Sequence, residues 1–138
     1  MIISRRNKET KNSTASGLYQ YTDRTWKKDH KNLDKNKESD QIAAFYNDIK
    51  KYTSRFNNLT KDEKGDSTLT REEYIYIKHH DGSNATEFRM GYSQGRNIYW
   101  NIKKSHEEGI DLSIDSIFYS KLHEYNGFNE NWNKWGII

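Results

Sequence analysis

Five apolar residues, Ile42, Phe45, Ile49, Tyr52 and Phe56, follow one another at spacings of three, four, three and four. That rhythm places all five on one face of a helix and is incompatible with a strand, whose faces alternate every second residue. It predicts an amphipathic helix over residues 41–56, with Asp40 as its cap and Asn57-Asn58 as its stop. The rest of the chain is read outward from this element.

Helix signals dominate on both sides. Thr22 or Asp23 can cap a helix that starts near Arg24 and carries Trp26 inward. Residues 27–37 are charged and read as a solvated stretch, and residues 59–69 as a polar loop around Gly65. Thr70 and Glu73 spell a T-x-x-E capping box, which favours a helix for Tyr74-Ile75-Tyr76-Ile77 over the strand their composition allows. Asp81-Gly82 ends it. A helix from Ser83 with Phe88 and Tyr92 inward is expected to end at Gly95. Another, from Asn97 to His106, uses Ile98 and Ile102 and closes at Gly109. A last helix opens at Ser113 with Ile114, Ile117, Phe118 and Tyr125 on one side and Leu122 at its edge, and stops at Asn126-Gly127. The tail, with Trp132 and Trp135, is expected to pack back on the body.

The expectation is an all-α fold of about six short helices in one domain, residues 1–138. It comprises a basic arm (1–12), a core (13–85) and a helical extension (86–138). With 32% apolar and 31% charged residues, and with 10 Tyr and 4 Trp, the core must be built from large rings with polar tips. No Cys is present, which excludes a disulfide framework, a thiolate nucleophile and zinc–thiolate sites. The net charge of +3 assists approach to an anionic surface without choosing one. Residues 1–6 hold only a short apolar run before Arg5 and Arg6, so no secretory signal and no membrane span is expected.

Residues 13–21 read STASGLYQY, and Thr25-Trp26 follows. Gly17 among small residues permits close backbone approach by a ligand. Gln20 carries an amide that both donates and accepts, suited to an N-acetyl group. Tyr19 and Tyr21 can offer flat apolar faces to a sugar, with Ser16 beside the turn. The plainer reading makes Leu18 and Tyr21 core, with Gln20 tying the turn.

The stretch resembles the S-x-x-A-x-G-L-Y-Q-F…T-W signature of lytic transglycosylases in the lysozyme superfamily. Residues 73–82, EYIYIKHHDG, are similar to the E-L-Y-L-A-H-F-L-G segment of a bacterial and phage branch of that family. The resemblance covers residues 13–85, a little over half the chain, and nothing matches residues 96–138.

It implies a lysozyme-like fold whose two motifs wall one saccharide cleft, and a protein that binds peptidoglycan. It also implies cleavage of MurNAc-GlcNAc strands by a single glutamic acid, with the sugar's own 6-hydroxyl leaving a 1,6-anhydro end. Ser16, Gly17, Tyr19, Gln20, Tyr21 and His79 are then the substrate contacts, with a structural hydrogen bond as the plainer role of His79, and no cofactor is called for. The partners would be glycan strands and other virion or tail proteins. The setting would be a phage virion, or a host cytoplasm before release to the cell wall.

The acid itself is missing from its expected place. The family's Glu-Ser pair would fall near Ile2, where no carboxylate stands. Glu9, followed by Thr10, is the nearest candidate, at about half the expected spacing; its plainer role is to balance basic neighbours. Glu72 and Glu73 are poor substitutes, because Glu73 is explained as a cap. Three readings stay open: a fragment, a homologue without the acid that serves a virion or tail structure or binds a protein, and a variant with a relocated acid.

Other chemistry is weaker. His79 and His80 are adjacent on a helix and diverge by about 100°, so they do not form a chelating pair, and no metal is expected. No nucleophile-elbow, P-loop or dinucleotide motif is present. Lys50-Lys51-Tyr52 and the run from Tyr99 to Lys104 mix cations with rings, as nucleic-acid binders do, but acids interleave throughout and nucleic acid is not the expected partner.

Overall fold

The computed structural model describes residues 14–64, 68–82 and 94–109, together with Tyr119 and Leu122. The described residues form an all-α structure: α1 (Asp23–Asp29), α2 (Glu38–Asn57), α3 (Lys61–Lys64), α4 (Arg71–Asp81) and α5 (Gln94–Glu107). The chain divides into two compact units, Met1–Asn47 and Asp48–Ile138, with α2 running from one into the other.

In the first unit, Thr22 caps α1 by accepting the Thr25 N–H at 3.2 Å. The helix turns Trp26 inward, and the indole N–H donates to the Leu33 carbonyl at 2.8 Å. The ring meets Tyr21 edge-on, with centroids 5.3 Å apart, and lies 5.3 Å from His30. The charged stretch 27–37 is mainly exposed, yet it contributes buried His30 to this cluster.

Helix α2 begins at Glu38, two residues before the expected cap. Lys37 supplies the carbonyl that receives the Asp40 and Gln41 N–H groups. Asp40 lies in the first turn, and its carboxylate accepts the Asp34 N–H at 2.8 Å instead of a helix N–H. Of the five periodic residues, Phe45, Ile49 and Tyr52 are buried, and Ile42 and Phe56 are half-buried.

The second unit opens with a difference from the loop expected over 59–69. Residues 61–64 form one helical turn, α3, because Thr60 and Glu63 make reciprocal bonds: Thr60 N–H to Glu63 at 2.9 Å and Glu63 N–H to Thr60 at 3.2 Å. The box at Thr70 and Glu73 forms as expected, and the run 73–78 after it is buried throughout. Gly82 ends α4 at φ 98°, a conformation that costs other residues a Cβ clash.

Helix α5 packs on α4 and begins at Gln94, three residues before the expected start. Gly95 is therefore a first-turn residue rather than a stop, and it is buried. Tyr99 and Ile102 face inward, and Gly109 closes the segment at φ 72° with its N–H on the His106 carbonyl. Tyr119 and Leu122 are helical and buried. The arm, the helix expected from Ser83, most of the helix expected from Ser113 and the tryptophan tail lie outside the described residues. No described helix is long and apolar enough to cross a membrane.

Candidate functional site

The glycine turn is built from the backbone outward. Ser16 and Tyr21 pair in a single antiparallel bridge, the Ser16 N–H donating to the Tyr21 carbonyl at 3.3 Å. Reversing the chain in the four residues between requires left-handed backbone, found at Gly17 (φ 82°) and Gln20 (φ 55°). Gln20 is the one described non-glycine residue with positive φ. Its side-chain amide donates to the Gly17 carbonyl at 2.8 Å, which closes the turn on itself.

The turn is fixed from beneath by Gln41, on the first turns of α2 and fully buried. Its Oε1 accepts the Tyr19 N–H at 3.0 Å, and its Nε2 donates to the Ser16 carbonyl at 3.2 Å and the Lys35 carbonyl at 3.0 Å. One amide thereby satisfies backbone groups on three sides of the loop, as burial of those groups demands. Nothing in the local sequence announces this role, because the partners are 22 and 25 residues away.

Both tyrosine rings of the turn serve packing. Tyr19 is 1% exposed and stacks on Phe45 with centroids 4.1 Å apart; Tyr21 is 4% exposed, against Trp26 and His30. Neither ring offers a face to solvent in this structure. The accessible part of the turn is the half-buried Gln20 and a polar rim. Lys35 Nζ reaches the Thr14 carbonyl and the Asp23 carboxylate, each at 2.7 Å, and the Thr14 hydroxyl accepts the Asp23 N–H at 2.9 Å. Ser16, Gly17, Tyr19, Gln20 and Tyr21 are thus brought together in one preorganised loop. Its rim can donate to and accept from hydroxyl and acetamido groups.

His79 belongs to the second unit, half-buried near the end of α4. Its neighbour His80 stacks on Tyr76 and holds Asp81 at 2.7 Å. Glu9 lies outside the described residues.

The second unit also contains a buried charge cluster that sequence reasoning missed. Arg96 Nε donates to Glu73, and its terminal nitrogen reaches the second Glu73 oxygen at 3.4 Å and the Thr68 hydroxyl at 3.0 Å. Both side chains are under 5% exposed. Burial alone would push the Glu73 carboxyl up. The hydrogen bonds from Arg96 and Thr70 outweigh it and hold the group below its ordinary value. Beside it, the Tyr99 hydroxyl donates to Glu72 at 2.8 Å, and Tyr119 donates to Glu107 at 3.4 Å. Burial and these anions push the Tyr99 phenol up, and the Tyr119 phenol up to about 12, so both remain protonated donors at neutral pH. A general acid must hold its proton near neutrality. Glu73 is arranged for the opposite.

No protein-family model, curated protein or solved structure matches the chain.

Proposed function

We propose that the chain is a lysozyme-like domain that binds peptidoglycan glycan strands through the glycine turn. The observation that supports this most is the conformation of residues 16–21. The residues resembling the transglycosylase signature form a tight turn with two left-handed positions, locked by Gln41 and edged by hydrogen-bonding groups. Gln20, the accessible residue of the turn, then contacts the acetamido sugar, while Ser16 and Gly17, both buried, shape the backbone that presents it. Tyr19 and Tyr21 act from below, as supports of the turn. His79, in the second unit, is proposed as a sugar contact in its own right.

Cleavage requires an acid, and Glu9 is its candidate. The lack of a carboxylate near Ile2, where the resemblance would put the acid, favours a second reading, in which the domain binds without cleaving and serves as a virion or tail component. The two separate in one experiment. Purified chain is incubated with sacculi, sedimented, and the supernatant searched by mass spectrometry for anhydro-muropeptides from acid to mildly alkaline pH. Binding with anhydro products that Glu9→Gln abolishes establishes the transglycosylase. Binding without products establishes the non-catalytic domain. Failure to co-sediment at any pH removes the peptidoglycan assignment.

A further inference from the structure

Trp100 is the one large hydrophobic side chain left exposed among the described residues, at 47%. An isolated surface aromatic is ordinary, but this one is braced. The Arg96 guanidinium lies over its ring at 4.8 Å, and that guanidinium is immobilised by Glu73 and Thr68 in the buried cluster of the second unit. A ring held this way loses little further freedom when a ligand stacks on it.

The surroundings on α5 are polar in a particular way. Asn97 precedes Trp100 by three residues, Lys103 and Lys104 follow by three and four, and Asn101 is adjacent; all are exposed. Residues three and four apart share a helix face, so a flat ring, amides and two ammonium groups form one strip. Glu107 and Glu108, also exposed, follow directly and offset the two lysines. Polyphosphate recognition needs cations in excess, which this strip lacks. A polysaccharide with occasional carboxylates matches it better: sugar C–H faces on the indole, hydroxyl and acetamido groups on the amides, and a carboxylate on a lysine.

We propose that Trp100, with Asn97, Asn101 and Lys104, is a second saccharide-binding site that takes an N-acetylated amino-sugar strand. This rests on the peptidoglycan reading above and adds to it an independent site.

The test measures affinity of the full chain for sacculi by co-sedimentation and for a neutral N-acetylglucosamine tetramer by calorimetry. The chains compared are the wild type, Trp100→Ala, Trp100→Phe and Lys104→Ala, with circular dichroism confirming that each is folded. Loss of one well-oriented stacking contact corresponds to roughly tenfold weaker binding in Trp100→Ala, with Trp100→Phe between it and wild type. Lys104→Ala should weaken sacculus binding and leave the neutral tetramer unaffected. If Trp100→Ala binds both ligands as wild type does, the second site is refuted and the glycine-turn assignment stands. If wild-type chain binds neither ligand, both fall together. A loss in Trp100→Ala confined to retention on single-stranded DNA, steeply salt-dependent, would reassign the strip to nucleic acid and overturn the proposal.

Discussion

At the residue scale, the glycine turn depends on one glutamine more than on any residue inside it. Replacing Gln41 with Ala leaves the Tyr19 N–H and the Ser16 and Lys35 carbonyls without that amide in a buried setting. The expected cost is about 2–3 kcal/mol, read as a lower urea midpoint at unchanged slope. Gly17→Ala tests the backbone instead. At φ 82° a Cβ is strained, and the change should cost about 1–2 kcal/mol. Gln20→Gly removes the amide and keeps left-handed backbone accessible at φ 55°, so stability should stay within about 1 kcal/mol of wild type. Sacculus binding should fall in that variant, which separates an amide that touches sugar from one that only ties the loop.

At the element scale, the capping boxes decide where helices begin. Thr70→Ala removes the acceptor for the Glu73 N–H and should cost about 1 kcal/mol, measured by thermal or urea unfolding. Thr60→Ala removes the equivalent bond from α3, which is one turn long and buries no side chain; its cost should stay within about 0.5 kcal/mol. The pair also shows what the sequence could disclose. Both boxes are spelled T-x-x-E. The second was legible because the buried run Tyr74-Ile75-Tyr76-Ile77 follows it, while the first precedes only Lys61-Asp62-Glu63-Lys64 and looked like loop. Helix α2 was legible from its apolar rhythm, but its start was not. Asp40 has the chemistry of a cap, and its carboxylate is drawn instead to the Asp34 N–H. Gly95 misled in the same manner: glycine marks a helix end only where the backbone turns left-handed, as at Gly82 and Gly109.

At the scale of the whole molecule, the described residues of an aliphatic-poor chain close their interior with rings and with polar groups, Gln41, Glu73 and Arg96 among them, that bond across long sequence separations. Those separations explain what could not be read ahead of the structure. The turn residues were legible as a group, but the burial of Tyr19 and Tyr21 depends on Phe45, Trp26 and His30, which no local pattern connects to them. Glu73 was legible as a cap and not as the partner of Arg96, 23 residues on. That pair makes global stability respond to acid in a defined direction. The Glu73 carboxyl is held below its ordinary value of 4.5 in the folded state. The unfolded chain therefore takes up the proton first as pH falls. The contribution is complete above that ordinary value and is lost as pH drops through the folded one. Glu73→Gln should flatten this acid limb in a series of thermal unfolding curves. Arg96→Met leaves a buried carboxylate without its cation and should cost about 3–5 kcal/mol near neutrality. Removing both charges together, as Glu73→Gln with Arg96→Met, should cost less than Arg96→Met alone, since no uncompensated charge remains. A double variant as unstable as the sum of the two singles would show that the two side chains act separately, and the ion pair would lose its place as the link between α4 and α5.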